Sequence, residues 1–443
     1  MNRFSAVLKS TNNGSGGFYY GWFVLAVCFF IALSAFGIRS SMGVFVTPLE
    51  ADMGWSRADI TRVLSLGIFV GAVSFLATGY LHDRFGGRIV IGGALIMLGV
   101  ATALMSTVNS IPSFIFIYGF LGSFASSGVS FVTIHSLLAR WFFKRRGLVM
   151  SISAAGGSFG PLMFAPLSAF LIQTFDWRVA FIVLGCIIAF IAGPLALTFL
   201  KNSPLGSVPD SERISGEDPS DDGSVSVAGP LFTSGRGGWK TALSTSPFWQ
   251  LSAAYLVCGI TTNILSVHFV PFAEDQGVPK MTAASIFGVM MGLNSIGVLT
   301  AGMLSSWWSQ KLVLGSTYAL RGIAYAVLLT IGGVEGMWAF AFIAGMSWIA
   351  TASMTSSLTA DIFGLRNLGT LNGMTNMSHQ IGGALSVLMA GELQQLTGSY
   401  VIPFAIAGLT LIGASIASFS VNEKKYSYRY NPIRTVPQPE PAR

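Results

Sequence analysis

Long apolar stretches alternate along the chain with short segments rich in glycine, proline and charge. The apolar runs fall at 20–45, 58–81, 89–108, 112–138, 147–173 and 179–200, and again at 248–271, 281–306, 312–332, 337–360, 368–391 and 400–420. A helix needs roughly 20 mostly apolar residues to cross hydrocarbon, so the pattern predicts an all-α membrane protein with twelve transmembrane helices in two sets of six. The stretch between the sets contains SPLGSVPDSERISGEDPSDDGSVSVAGP. It is too polar and too rich in Ser, Pro and Gly to bury a core. The predicted organisation is an N-terminal six-helix bundle over 1–200, a cytoplasmic linker loop over 201–247, and a C-terminal six-helix bundle with a cytoplasmic tail over 248–443. The first run lacks a small-residue cleavage site and is too long for a signal-peptide core, so it is expected to be retained.

Composition agrees with the pattern. Of 443 residues, 52% are hydrophobic and only 10% are charged, where a soluble chain carries about 25% charge. Cys28, Cys186 and Cys258 all sit in apolar runs and read as small core residues, with no disulfide or metal framework. The net charge of +7 would suggest nucleic acid, but the charges lie at the ends of the apolar runs. If both termini are cytoplasmic, the inner segments hold Arg3, Lys9, Arg84, Arg88, Arg140, Lys144, Arg145, Arg146, Lys201, Arg213, Arg236, Lys240, Lys311, Arg366 and the basic residues of the tail. The outer segments then hold only Arg57, Arg62, Arg178 and Lys280. That asymmetry sets the expected orientation and makes the bilayer, not nucleic acid, the partner of the surface. Arg39 and Arg321 are left over, inside apolar runs.

The two halves repeat at an offset of 223 residues: Pro48 with Pro271, Asp52 with Asp275, Gly54 with Gly277, Gly79 with Gly302, Leu81 with Leu304, and Arg88 with Lys311. Duplicated six-helix halves are a transporter architecture, with a solute site near the midplane and rocking of one half on the other as the transport step. No Walker loop, zinc-ligand spacing or nucleophile elbow is present, so no enzyme, no cofactor, no metal and no direct use of ATP are expected.

The loop after the second run reads Gly79-Tyr-Leu-His-Asp83-Arg84-Phe-Gly86-Gly-Arg88 and resembles the signature loop of the major facilitator superfamily. The second copy, Gly302 to Lys311, has lost the Asp and the Arg. At the fifth run, Trp141-Phe142-Phe143-Lys144-Arg145-Arg146 precedes Ala154-Ala155-Gly156-Gly157-Ser158-Phe159-Gly160. This is similar to the corresponding signature of monocarboxylate porters and of bacterial oxalate:formate-type exchangers, as is Tyr20-Gly21-Trp22. The spacing of small residues also lets helices approach closely. The resemblance implies a monomeric secondary carrier in the inner membrane of a bacterium, with Asp83, Arg84, Arg88, Arg145 and Arg146 gating the inner face. An acid at this place caps a facing helix N-terminus or pairs with Arg145 or Arg146. Those porters also carry a substrate-binding Arg in the eighth helix, where this chain has Val298.

Arg39 is the sharpest single candidate for a substrate contact. A charge inside the membrane costs at least about 2.5 kcal/mol and is functional by default, and a guanidinium fork suits a carboxylate. The same resemblance places a basic residue there. The competing reading is an arginine snorkelling to the outer interface. Arg321, near mid-depth of the ninth run, has two readings: a site residue, or a donor to the carbonyls of neighbouring helices. The eleventh run carries Asn372, Asn376, His379, Gln380 and Gly383 on one helical face. His379 is the candidate proton carrier, because His titrates near neutral pH; the alternative is a neutral hydrogen-bonding histidine. Asn263 lies within one residue of the repeat equivalent of Arg39. Asn263, Asn294, Asn376, His379 and Gln380 complete the expected substrate contacts, with His268, Tyr118, Trp348, Thr351 and Thr355 as weaker candidates. The expected function is proton-coupled uptake of a small organic anion. Efflux of a drug or metabolite is the second reading, although no buried Asp or Glu of the kind drug exporters use is present. A non-transporting sensor is the third, and it would need a structured appendage that the linker and tail do not resemble.

Overall fold

The structure, a computed structural model, describes residues 19–143, 145–203, 239–427 and 430. The middle of the linker (204–238), Lys144 and both chain ends therefore lie outside the described residues. The N-terminal half forms α1 (Tyr20–Met53), α2 (Arg57–Phe85), α3 (Gly87–Leu104), α4 (Ile111–Leu138), α5 (Arg146–Thr174) and α6 (Trp177–Phe199). The C-terminal half forms α7 (Ser246–Asp275), α8 (Lys280–Trp307), α9 (Gln310–Ile331), α10 (Gly333–Phe363), α11 (Leu368–Thr397) and α12 (Val401–Ser420). Each half has its own apolar core, one drawn from Val24 to Leu200 and the other from Ala242 to Val421. Among the described residues, eleven helices are long and apolar enough to cross a membrane. The twelfth, α11, is 30 residues long but carries the polar face that lowers its hydropathy. It packs along α7 and α2, so it belongs to the same set.

The internal repeat is visible as paired contacts. Gly37 of α1 lies so close to Gly160 of α5 that a Cβ there would stand 2.7 Å from the Gly160 carbonyl oxygen. In the second half, Gly259 of α7 meets the His379 backbone of α11, and Gly383 meets Asn263. Small residues thus let the two longest helix pairs touch backbone to backbone. The basic residues at the start of the third helix of each half repeat as well. Arg88 Nε donates to the Leu197 carbonyl at 2.6 Å, and its backbone N–H donates to Asn202 Oδ1 at 2.9 Å. Lys311 Nζ donates to the Phe419 carbonyl at 3.1 Å, and its backbone N–H donates to Glu423 at 3.2 Å. In each half, a residue three positions beyond the sixth helix, Asn202 or Glu423, caps the third.

Several helices are interrupted where the apolar pattern reads as continuous. The α1 helix turns at Ser41 and continues to Met53. Within α4, Ile115–Gly122 is π-helical and the chain breaks at Val129. The α10 helix breaks at Met346–Ile349. Breaks at membrane depth survive where other groups satisfy the freed backbone. At α10, Arg321 donates to the carbonyls of Ser347 and Trp348, and Asn294 Oδ1 accepts from the Ile349 N–H at 2.8 Å. Cys186 departs from its expected place: it lies on an exposed face of α6, not in a core.

The bundles meet at the end where the linker joins them, here called the linker side. There a Cβ on Gly79 would stand 2.2 Å from the Gly369 carbonyl oxygen, one on Gly373 would meet the Phe75 carbonyl, and one on Gly147 would meet Ser305 Oγ at 2.1 Å. Further along the same helices Gly71, Gly288 and Gly292 have open space where a Cβ would sit, and Ile68, Phe69, Leu385 and Leu388 are exposed. The close glycine contacts between the bundles thus lie on the linker side.

Candidate functional site

Two ties hold the linker side together. Asp83, at the last turn of α2, accepts from the backbone N–H groups of Gly369 (2.9 Å) and Thr370 (2.7 Å), and from the Thr370 hydroxyl (2.7 Å). These N–H groups open α11, so the carboxylate sits at the positive end of a helix in the opposite bundle. The second tie runs the other way. Arg146, the first residue of α5, pairs with Asp361 of α10 at 2.6 Å, with side chains 2% and 6% exposed. Arg146 also donates to the carbonyls of Ala139 and Phe142, and Gln310 Nε2 donates to the second Asp361 oxygen at 2.9 Å. Each charge thus has more than one partner, as burial demands, although Arg146 Nη2 makes no hydrogen bond.

The other basic residues of this end are placed differently. Arg84 is exposed and lies over the Phe85 ring. Arg88 joins α3 to α6 within one bundle, as described above. Arg145 occupies the N-cap position of α5 and is half-buried.

Above this closed end lies a polar cluster on α7 and α11. His379 Nδ1 is 3.1 Å from Gln380 Oε1, its Nε2 is 3.4 Å from Thr262 Oγ1, and its ring centroid is 4.7 Å from that of Tyr255. The Tyr255 hydroxyl donates to Asn376 Oδ1 at 3.5 Å. Asn376 also donates to the Asn372 carbonyl, and Asn372 donates to Ser136 of α4 at 3.2 Å. Asn263, Asn376, His379 and Gln380 are all half-buried. Asn263 donates to the Gly259 carbonyl in its own helix, and His268 bonds the Val387 carbonyl at 3.2 Å.

Asn294 is elsewhere, 1% exposed between the bundles. Its amide donates to Ser158 Oγ of α5 at 2.9 Å while its oxygen holds the break in α10. Val298 is fully buried against Ala154 and Ala155 of α5. Arg321 is 0% exposed. Besides the two α10 carbonyls it donates to Cys258 Sγ and Thr261 Oγ1 at 3.4 and 3.3 Å, and it lies over the Trp348 ring. Of its two readings, the donor to neighbouring carbonyls is the one these contacts match.

Arg39 stands apart from all of these. It is exposed, and it lines two adjoining cavities inside the N-terminal bundle, one walled by α1, α2, α3, α4 and α6, the other by α1, α3 and α4. Among the described residues it has no hydrogen-bond or ion-pair partner. Asp52, an acid just beyond the first run, is held by Arg178 at 2.5 Å and by Trp177 Nε1 at 3.1 Å. It also lies roughly 20 Å further along α1 at 1.5 Å per residue.

Sequence reasoning did not single out Tyr255, Thr262, Asp361 or Ser158. Thr262 was within reach, since it is the exact repeat equivalent of Arg39 at the 223 offset. Asp361 sits one residue beyond the tenth apolar run, where an acid at a helix end gives no sign that it faces another bundle.

Residues 27–387 match the Major Facilitator Superfamily. The chain belongs to the Major Facilitator Superfamily. It is therefore a multi-pass membrane transporter and not an enzyme. Its similar relatives include an uncharacterised transporter of this type, YcxA of Bacillus subtilis, 24% identical over 406 residues, or 89% of this chain and 93% of that one. Monocarboxylate transporter 13 of Bos taurus is 26% identical over 404 residues, covering 89% of this chain and 88% of that protein. The oxalate:formate antiporter of Oxalobacter formigenes is 24% identical over 415 residues, covering 90% and 91%. Among solved structures, FucP in the outward conformation superposes with a TM-score of 0.67 at 16% identity, over 89% of this chain and 97% of that one. That likeness carries the fold.

Proposed function

We propose that this superfamily member is a secondary carrier that takes up a small organic anion of the monocarboxylate kind together with protons, by alternating access. The observation that carries the reading is Arg39: an exposed guanidinium inside a membrane-spanning bundle, lining a cavity, with no acidic partner among the described residues. Such a cation calls for an anionic ligand. The printed names of two relatives, a monocarboxylate transporter and an oxalate:formate antiporter, support the same class. His379 is the proposed proton carrier. With Gln380, Asn376 and Asn263 it forms the C-terminal face of the pathway. Asp83 and Arg146 are the proposed gate, holding the linker side shut while the far side is open, with Arg84, Arg88 and Arg145 supporting that end. The proposed setting is a bacterial inner membrane, with the linker and both termini in the cytoplasm and the chain acting as a monomer.

The test is a ligand screen by thermal stabilisation of the purified protein, using monocarboxylates, dicarboxylates, amino acids and sugars. A ligand present at a hundred times its Kd stabilises by about 2.7 kcal/mol. Carboxylates are expected to stabilise the wild type. One charge-assisted hydrogen bond contributes about 1.5–3 kcal/mol, so Arg39→Gln should weaken binding ten- to hundredfold, and Arg39→Lys by less, because it keeps the charge and loses the fork. Exclusive stabilisation by neutral or cationic solutes, or undiminished anion binding by Arg39→Gln, would overturn the reading.

A further inference from the structure

Arg321 keeps its charge at 0% exposure, and no Asp or Glu touches it among the described residues. Its acceptors are the Ser347 and Trp348 carbonyls, the Thr261 hydroxyl and Cys258 Sγ. Of these only Cys258 can ionise, and a buried cation met by neutral groups alone is costly. The hydrogens around the sulfur point the same way. Arg321 Nη1 can only donate to it, at 3.4 Å. Thr351 Oγ1 is its other partner, at 3.1 Å. Neither the thiol nor the Thr351 hydroxyl has a further acceptor among the described residues, and the Ser347 carbonyl, one turn before Thr351, is taken by Arg321. If Sγ keeps its hydrogen, either that hydrogen or the one on Thr351 is buried without an acceptor. If Sγ is ionised, both neighbours donate to it and no hydrogen is left over. His379 reaches the same turn of α7. At about 3.6 residues per turn, Cys258 projects between Thr261, which Arg321 holds, and Thr262, which His379 Nε2 meets at 3.4 Å. The Thr262 hydroxyl donates to the Cys258 carbonyl at 2.7 Å, so its oxygen can accept from His379, and Gln380 Oε1 faces Nδ1. These surroundings suit the charged ring. The remaining titratable groups around Cys258 are Tyr255 of α7 and Tyr318 and Tyr325 of α9. Among the described residues, α8, α10 and α12 bring no charged side chain to this depth.

We infer that Cys258 is a thiolate paired with Arg321, and that this anion is what allows His379 to hold a proton beside a buried arginine. The inference rests on the proton-carrier reading of His379 above and supplies the anion that the apolar runs otherwise lack. Without it, a charged His379 would share one turn of α7 with Arg321 and have nothing of opposite sign nearby. Thiolates occur beside arginine and charged histidine for this electrostatic reason. Cys258 is thus a positioning residue that acts through His379.

The experiment reads the infrared S–H stretching band of the purified full-length protein carrying Cys28→Ala and Cys186→Ser, so that Cys258 is the single thiol. An ordinary thiol titrates at about 8.5 and keeps its hydrogen at neutral pH. The band should be missing from the folded protein at neutral pH and appear when the same sample is unfolded at that pH. A second measurement follows the ring signals of histidine-labelled protein by NMR against pH, with His379 assigned by its loss in His379→Gln. Cys258→Ser keeps a small hydrogen-bonding side chain but stays neutral, so His379 should titrate at lower pH by about one unit or more. Cys258→Asp restores an anion and should bring the titration back towards wild type. A purely structural Cys258 would leave the titration where it is. Both measurements are made without substrate. An S–H band in the folded protein at neutral pH, or a His379 that titrates alike in wild type and Cys258→Ser, would overturn the inference and leave the proton-carrier reading standing. A His379 that takes up no proton across the pH range in which the protein stays folded would overturn both.

Discussion

At the scale of single residues, the two candidate faces of the pathway differ in kind. Arg39 is a charge without a partner among the described residues, whereas His379 is held by Gln380, Thr262 and Tyr255. A histidine held at both ring nitrogens by neutral groups donates from one and accepts at the other. Protonation turns both into donors, and the oxygens of Gln380 and Thr262 can each accept one, since the Thr262 hydroxyl itself donates to the Cys258 carbonyl at 2.7 Å. His379→Gln keeps a donor and an acceptor but cannot gain charge near neutral pH. It should preserve exchange of solute across the membrane and abolish accumulation driven by a pH gradient. Equal accumulation by mutant and wild type would make His379 a structural residue. The eleventh-helix stripe was legible in the sequence because polar residues at helical spacing inside an apolar run stand out. Tyr255 was not, because an aromatic on an apolar helix looks like packing until the facing helix is known. The polarity of Asn294 was visible, but the broken backbone of α10 that it holds was not.

At the scale of elements, the proposed gate is a pair of helix-end contacts made possible by bare glycine backbones. Asp83 holds the start of α11, and Arg146 holds the end of α10. The second copy of the signature loop has lost its acid, and Ser305 and Ser306 stand where α8 meets the start of α5. The buried Arg146–Asp361 pair provides the charged contact between the bundles on that side. Removing one partner of a buried pair costs about 3–5 kcal/mol, here only while the linker side is closed. Asp361→Asn should therefore shift the population towards an open linker side by a hundredfold or more. A cysteine at Ser305, which is 2% exposed, reports this by its alkylation rate, read residue by residue by mass spectrometry. The rate should rise steeply in the Asp361→Asn protein; an unchanged rate would mean that the pair does not hold the closed state. The helices themselves were legible from the apolar runs, although α1 runs on to Met53 and α11 to Thr397, well past the ends of their runs at 45 and 391. Their interruptions were not, because the groups that stabilise each break lie elsewhere in the chain, as Arg321 does for α10.

At the scale of the whole molecule, the duplication explains both the symmetry and the departures from it. The capping of α3 by Asn202 and of α9 by Glu423 repeats, as does the glycine packing of α1 on α5 and of α7 on α11. What does not repeat is the chemistry of the proposed pathway: a cation in the first half, and a histidine with amides in the second. Rocking of one bundle against the other would carry an anion held by Arg39 past a proton held by His379, which is the core of the account. Uptake into proteoliposomes tests it most directly. Purified protein is reconstituted, and a labelled monocarboxylate from the binding screen is supplied outside at acidic pH with a neutral interior, against empty liposomes to subtract passive entry of the acid. The account predicts accumulation above the empty-liposome level that collapses when a protonophore removes the gradient, and that Arg39→Gln reduces at least tenfold. Carboxylate entry no greater than in empty liposomes, or uptake that ignores both the proton gradient and Arg39, would contradict it.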